Sequence, residues 1–379
     1  MRGNRQVSAT DRRFLRQALA LAARGAGTTA PNPMVGALVV RGGRIVGRGF
    51  HRRAGEAHAE AVALAQAASR ARGARLYVTL EPCGHFGRTP PCVDAIIGAG
   101  IREVVACMQD PDPRVNGRGF RTLRRAGIRV RVGVLRREAA ALNAAFLRWV
   151  RNGRPLITLK AGMSLDGRIA TRAGQSRWIT SAAARREARR LRGRHDAVMV
   201  GIGTVLADDP RLLASGTVAR QPARVVMDTR LRTPPGSRLL RGPSGGPAIV
   251  IAGRGAPAAR RRRLEGMGAL VMEVERRAGR VDFAAAVRAL GRIGIRSVLV
   301  EGGSEILGSA IDARLADRVV LFVAPRILGG RKSLPAFGGE GAARPDRSVR
   351  IEAARWRRLG PDAVVEGRPR FPARRPGER

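Results

Sequence analysis

Apolar positions along the chain switch between two spacings. Over residues 11–24, Phe14, Leu15, Ala18, Leu19 and Ala22 recur every three or four positions, one face of an amphipathic helix. After the breaker Pro31-Asn32-Pro33, "MVGALVV" (34–40) and "RIVGRGF" (44–50) read as strands joined by a hairpin turn at "RGG". A helix follows His58, with Ala61, Val62, Leu64, Ala65 and Ala68 as its apolar run. "ARLYVTL" (74–80) is a buried strand, and "CVDAIIGAG" is a helix ending at Gly98 or Gly100. "EVVACM" and "IRVRVGV" are strands on either side of "GRGFRTLRRAG", which contains a helix. The order, roughly βββαβαβαβ, predicts a three-layer α/β unit ending near residue 150.

The pattern restarts after "NGRP", the best linker candidate. Strand-like runs follow at 156–163, 197–201, 223–228, 248–253, 269–274, 297–303 and 318–325. Helical patterns at 181–192, 282–293 and 304–312 separate several of them, so a second α/β domain is expected. The tail "RFPARRPGER" (370–379) reads as disordered.

Charge changes the picture less than its size suggests. The net charge is +43, but only Lys160 and Lys332 are lysines, and arginines are scattered through nearly every segment. A nucleic-acid binder concentrates its charge in a patch or tail. Here the arginines read as a generic solvated face that attracts anionic ligands such as phosphates. No run of about 18 apolar residues predicts a membrane span. The N-terminus lacks the apolar core and cleavage site of a secretory signal. Three cysteines in a large chain make no disulfide framework, so cytoplasm is the expectation.

Rare residue types carry the first candidate chemistry. "EAHAEAVAL" (56–64) puts His58 two residues before Glu60, and "TLEPCGHFGRTPPCVDA" (79–95) puts Cys83 after a strand and Cys92 at a helix start. One imidazole and two thiolates suit zinc with a fourth position for water. The N-terminal dipole of a helix keeps a thiolate deprotonated. Glu60 is acidic and not needed as a ligand, so it can move a proton between water and a leaving nitrogen. On a regular helix, side chains two apart diverge by about 200°. His58 and Glu60 therefore share a site only if the metal sits beyond the helix N-terminus. The zinc deaminase pattern H-x-E…P-C-x-x-C is matched except for eight residues between the cysteines instead of two. Cys107 reads as a small buried hydrophobe, and His85 as a loop contact.

With "PNPMVGALVV", "HAEAVAL" and "EPCGHFGRTPPC" in hand, the chain resembles the bifunctional riboflavin-biosynthesis deaminase/reductase family. The long insert between the cysteines is that family's variant of the motif. The resemblance implies a cytidine-deaminase-like three-layer α/β/α domain at 1–150. Its zinc-dependent step replaces the 2-amino group of a diamino-pyrimidinone ribosylamino 5-phosphate by oxygen and releases ammonia. It also implies that Asn32 hydrogen-bonds the base, His51 the substrate and Arg88 the phosphate.

The second half shows no G-x-G-x-x-G dinucleotide fingerprint. It nonetheless resembles the same family's reductase, a dihydrofolate-reductase-like domain at 151–369, in "LKAGMSLDGRIAT", "GQSRWITS", "GIGTVLADDP" and "VLVEGGSEIL". The last is a strand, two glycines and a helix start, a backbone arrangement that binds phosphate. The resemblance implies hydride transfer from NADPH to the opened ribose. Gly162, Trp178, Thr204, Asp208, Thr229, Gly303, Ser304, Glu305, Ile306 and Leu307 would line the cofactor. Ser176, Arg192, Leu212 and Glu301 would hold the substrate. Arg230 is expected near the cofactor's 2′-phosphate. The family tends to carry an arginine where Ser215 stands, and Arg211 is the candidate replacement. No His, Asp or Glu is an obvious proton donor to the alkoxide, and water can serve. A homo-oligomer, dimer or tetramer, associating through the second domain is implied as well. The alternatives are a nucleic-acid or nucleotide base deaminase with a degenerate second domain, and a non-catalytic zinc module.

Overall fold

The computed structural model describes residues 8–86, 90–216, 220–241 and 245–373. Arg88 and residues 374–379 of the expected tail lie outside the described residues. The chain divides into two compact units, Met1–Gly153 and Arg154–Arg379.

The first unit runs α1 (Ala9–Ala22), β1 (Gly36–Arg41), β2 (Arg44–Phe50), α2 (Ala59–Ala67), β3 (Arg75–Val78) and α3 (Cys92–Gly98). It continues with β4 (Glu103–Ala106), α4 (Arg118–Arg125), β5 (Arg129–Val132), α5 (Arg136–Leu142) and α6 (Ala144–Asn152). Its sheet has the order β2-β1-β3-β4-β5. β1 is antiparallel to both neighbours, and β3, β4 and β5 are parallel. Period-2 alternation fixes the layers. Ala37 and Val39 pack with Ala63 of α2, Ile96 of α3 and Leu123 of α4. Leu38 and Val40 pack with Leu15 of α1, Ala139 of α5 and Leu147 of α6 on the other face. Both faces of the strand are therefore apolar, which is why "GALVV" reads as a continuous run. Two strands, not three, precede α2. Helices α5 and α6 escaped the pattern because each buries a single residue, Ala139 and Leu147, too few for an apolar stripe.

The second unit opens with β6 (Leu156–Ser164), β7 (Arg168–Ala170), α7 (Ala182–Arg192), β8 (Ala197–Gly201), α8 (Ile202–Asp208), β9 (Ala223–Met227) and β10 (Ala248–Gly253). Next come α9 (Ala258–Gly266), β11 (Leu270–Val274), β12 (Arg276–Arg277), β13 (Arg280–Val281), α10 (Phe283–Arg292), β14 (Ser297–Glu301) and α11 (Ser304–Asp312). It closes with β15 (Arg318–Ala324), β16 (Leu334–Pro335), β17 (Arg350–Leu359) and β18 (Asp362–Arg370). Among the described residues the main sheet has the order β11-β10-β9-β8-β14-β6-β15-β18-β17. It is parallel from β11 to β15, with β18 and β17 antiparallel at one edge. The chain winds outward from β8 through β9 and β10 to β11, then returns to β14 beside β6. The carboxyl ends of β8, β14 and β6 thus meet at a switch in winding direction, where open α/β sheets bind ligands.

Strands β17 and β18 gave no apolar signal, since β17 is exposed on both faces for nine of its ten residues and is rich in arginine. Residues 370–373, expected to open a disordered tail, are placed. Arg370 ends β18, Phe371 packs against the core, and the Arg314 guanidinium donates to the Pro372 carbonyl.

Candidate functional site

Two helix starts converge in the first unit. His58 is the N-cap of α2, with extended backbone (φ −72°, ψ 159°), and Cys92 is the first residue of α3. Because His58 stands outside the helix and Glu60 inside it, the 200° rule between them does not apply. Cys83 follows β3, and its sulfur accepts the Cys92 backbone N–H (3.4 Å). His58 Nδ1 lies 3.1 Å from Cys92 Sγ and 3.5 Å from Cys83 Sγ. The three candidate ligand atoms all lie within 4.8 Å of one another.

The electrostatics are those of a cation site. Hydrogen bonding between the sulfurs, working against burial and with help from His58, holds the Cys83 thiol down at about 4. The same pairing, then burial, pushes the Cys92 thiol far up. Two touching thiols do not both ionise unaided, and a divalent cation shared between them lets both do so. Zinc bonds of ~2.3 Å to sulfur and ~2.0 Å to nitrogen set N···S separations of roughly 3.5 Å in a tetrahedron, so the donor set fits. Glu60 is buried beside it, its carboxyl pushed up to about 7 by burial first and by the Cys83 charge second.

His51 and Asn32 stand behind this centre. The His51 ring meets the His58 ring edge-on, with centroids 5.4 Å apart. Its Nδ1 pairs with the Ala57 carbonyl (3.2 Å) and its Nε2 with the Asn32 amide (3.1 Å). That pattern places the proton on Nδ1 of a neutral ring. Burial, the largest cause, lowers the His51 pKa.

Two residues of this site went unread in the sequence. The Glu81 carboxylate accepts the backbone N–H groups of Asp110, Gly117 and Phe120 (3.2, 2.9 and 3.2 Å), tying the loop before α4 to the Cys83 segment. Asn143 exchanges two hydrogen bonds with the backbone of Met34 (2.8 and 2.9 Å), which fixes the segment that carries Asn32. Glu81 was legible only as a neighbour of Cys83. Asn143 had no local signal, because it acts across 109 positions of sequence.

In the second unit the predicted residues gather at the carboxyl ends of β6, β8, β9 and β14. Glu301 ends β14 and is 5% exposed. Arg192, the last residue of α7, grips it bidentately (2.8 and 2.8 Å) and also donates to the Leu213 carbonyl (3.0 Å). Lys160 Nζ approaches the same carboxylate (3.8 Å). Burial alone would raise the Glu301 pKa; the charges of Arg192 and Lys160 outweigh it and hold it at about 2. Burial depresses the Lys160 pKa, with Arg192 adding to the effect. Ser176 donates to Asp208 (3.2 Å). Gly162 packs against Thr180, and Thr204 against Gly303. Leu212 is buried. Arg211 is exposed and makes no ion pair with a described residue, while the Ser215 N–H donates to the Arg189 carbonyl.

Gly303 caps α11 at φ 79°, a backbone setting that suits glycine. Ile306 and Leu307 are 5% and 0% exposed and belong to the core. What they can offer a cofactor is backbone, not side chain. Trp178 is 61% exposed, its ring stacked under the Arg185 guanidinium at 4.2 Å. It walls a cleft of about 590 Å³ together with Thr180, Pro325 and Ile327. Bare glycines at a strand-to-helix turn beside Thr204 fit the diphosphate of a dinucleotide.

Comparison with known proteins covers both units. The family model "Cytidine and deoxycytidylate deaminase zinc-binding region" matches residues 8–108, and the "RibD C-terminal domain" matches residues 155–365. The riboflavin biosynthesis protein RibD of Bacillus amyloliquefaciens is 40% identical over 358 residues, 94% of this chain and 96% of that protein. The structure of Acinetobacter baumannii RibD, form 2, has a TM-score of 0.85 at 35% identity, covering 95% of this chain and 99% of that one. A Thermotoga maritima diaminohydroxyphosphoribosylaminopyrimidine deaminase/5-amino-6-(5-phosphoribosylamino)uracil reductase has a TM-score of 0.81 at 34% identity, with coverage of 95% and 99%. Identity at this level over nearly the whole length, with each unit matched by its own family model, means that the chain belongs to the RibD family of bifunctional deaminase/reductases in riboflavin biosynthesis.

Proposed function

We propose that the chain carries out two consecutive reactions. The first unit deaminates 2,5-diamino-6-ribosylamino-4(3H)-pyrimidinone 5′-phosphate hydrolytically. The second reduces the ribosyl chain of the product to 5-amino-6-(ribitylamino)uracil 5′-phosphate. Zinc contributes Lewis acidity in the first step and NADPH the hydride in the second.

His58, Cys83 and Cys92 hold the zinc. Glu60 takes a proton from the attacking water and delivers it to the departing 2-amino nitrogen as ammonia leaves. Burial raises the proton affinity of its carboxyl, which favours taking up the proton that it must then pass on. Asn32, oriented by its bond to His51, binds the base, and Arg88 meets the phosphate. In the second unit Gly162, Trp178, Thr204, Asp208, Thr229 and the turn Gly303 to Leu307 receive the cofactor. Ser176, Arg192, Arg211, Leu212 and Glu301 receive the substrate. Glu301 is kept ionised, so it accepts hydrogen bonds from ribose hydroxyls and donates none. Water can serve as the proton donor to the alkoxide.

One observation supports the deaminase reading above the rest: a buried carboxyl beside a His/Cys/Cys set that meets at two helix starts. A non-catalytic zinc module has no use for Glu60. Exchange of Glu60→Gln should lower ammonia release by roughly 10²–10⁴ while zinc content, read by atomic absorption, stays at the wild-type level. Retained turnover would remove Glu60 from the mechanism.

The reading includes a homo-oligomer formed through the second unit, supported by the exposed edge strand β17, which carries Trp356 at 71% exposure. It includes a small-molecule substrate in place of nucleic acid, since arginines are scattered through nearly every segment of the sequence and not gathered in one run. A cytoplasmic location agrees with three free cysteines.

A further inference from the structure

The ribbon β12–β13 stands apart from the main sheet and carries Arg276, Arg277 and Arg280. Its placement is specific. The Val281 N–H donates to Thr229 Oγ1 (3.1 Å), just past the carboxyl end of β9. Arg276 lies over Gly253, the last residue of β10. A Cβ on Gly253 would stand 2.5 Å from Arg276 Nε, 2.8 Å from Arg276 Cγ and 3.0 Å from Thr229 Cγ2. Only glycine leaves room there for the arginine stem. At the ribbon's other end the Arg280 guanidinium pairs with Glu305 in the first turn of α11. The ribbon therefore reaches from the end of β10, past β9, to the helix that follows β14.

Arg276 and Arg280 differ in their partners. Arg280 neutralises the one acidic side chain in the first turn of α11, so no free carboxylate competes for that turn. Arg276 is exposed and makes no ion pair with a described residue. Its neighbour Arg254, by contrast, is paired with Glu275 (2.9 Å). A guanidinium whose stem is fixed by packing and whose charge is uncompensated is ready for a phosphate, which it can bind bidentately. Arg230, the sequence candidate for this role, follows Thr229 and is also exposed, but its visible link is through its carbonyl, which accepts from Arg260 (3.1 Å).

We propose that Arg276 selects the 2′-phosphorylated nicotinamide dinucleotide over the unphosphorylated one by pairing with the 2′-phosphate, and that Gly253 is required to seat it. The inference rests on the NADPH-reductase reading of the second unit.

The test is equilibrium binding to the full chain, by calorimetry, of NADPH, NADH, 2′,5′-ADP and 5′-AMP, with Arg276→Gln, Arg276→Lys and Arg230→Gln variants. Arg276→Gln should weaken NADPH and 2′,5′-ADP roughly ten-fold or more, the size of one lost charge-assisted hydrogen bond. NADH should stay within about two-fold, and that unchanged binding doubles as the control for folding. Arg276→Lys should keep part of the preference, and its NADPH affinity should still fall with added salt. The proposal is overturned if Arg276→Gln weakens NADPH and NADH equally, if it changes neither, or if Arg230→Gln carries the loss instead. A wild-type chain that binds neither dinucleotide would instead sink the reductase reading, and the proposal with it.

Discussion

The two sites of this chain are built in opposite ways. The first gathers its chemistry within residues 58–92, from residue types the chain almost lacks: four histidines and three cysteines in 379 positions. The second, as proposed, draws on residues from Lys160 to Leu307, and many of its parts are glycines, threonines and arginines, which are common everywhere. A metal site needs particular donor atoms, so it leaves a mark in composition and spacing. A dinucleotide site needs bare backbone at a strand end, and any turn with glycine resembles it. The first therefore depends most steeply on a few donor atoms and the acid beside them. The second depends on a buried charge balance among Glu301, Arg192 and Lys160, which no short motif encodes.

The sharpest way to break this comparison is to remove a ligand. Cys92→Ser should abolish stoichiometric zinc and ammonia release, while NADPH binding by the second unit persists; loss of both functions would show that the two sites do not stand alone. Next in size is Glu301→Gln, which leaves Arg192 and Lys160 buried without their counter-charge. Breaking a buried pair costs roughly 3–5 kcal/mol, so denaturant unfolding of the second unit should shift strongly and reduction should fail, with deamination intact. The pH dependence follows from the folded value of about 2 against an ordinary 4.5. A depressed carboxyl stabilises fully above its unfolded value and loses that contribution as pH falls through the folded one. The gap between wild type and Glu301→Gln should therefore narrow between about pH 4.5 and pH 2. A gap independent of pH would mean that packing, not charge, is what the glutamate supplies.

A smaller effect is expected for Asn143→Ala, which frees the Met34 backbone at a cost of about 1–3 kcal/mol. KM of the deaminase should rise more than kcat falls, with zinc content unchanged; an unaltered KM would leave Asn143 a purely structural residue. The smallest belongs to Cys107. It is buried in the core with its thiol pushed up to about 12 by burial, so Cys107→Ala should cost about 1 kcal/mol and leave zinc content and both activities alone. Lost zinc in that variant would contradict the three-ligand set.

Reading the sequence located β1, β2, α2 and β3 within a few residues, because β1, α2 and β3 carry apolar runs that are largely buried and β2 is set off by its hairpin turn. It failed at α5, α6 and β17, where the buried face is one residue wide or absent. It also raised a conflict between His58 and Glu60 that the cap geometry removes: the helix begins between them. Glu81 and Asn143 show the other kind of omission. Each acts on backbone amides or carbonyls far away in sequence, and a backbone partner has no residue type to recognise.

What the sequence determined by itself was the strongly patterned strands and helices, the division into two α/β halves, and the donor types that suit a zinc centre with an acid beside it. Those follow from local period, from turn residues and from the scarcity of histidine and cysteine. Tertiary structure alone decided which charges face one another, that α11 offers backbone and not its Ile306 and Leu307 side chains, and that an arginine of the β12–β13 ribbon rests on Gly253. Contacts of that kind depend on strand order and register across more than a hundred residues, and distance in space is not written in distance along the chain.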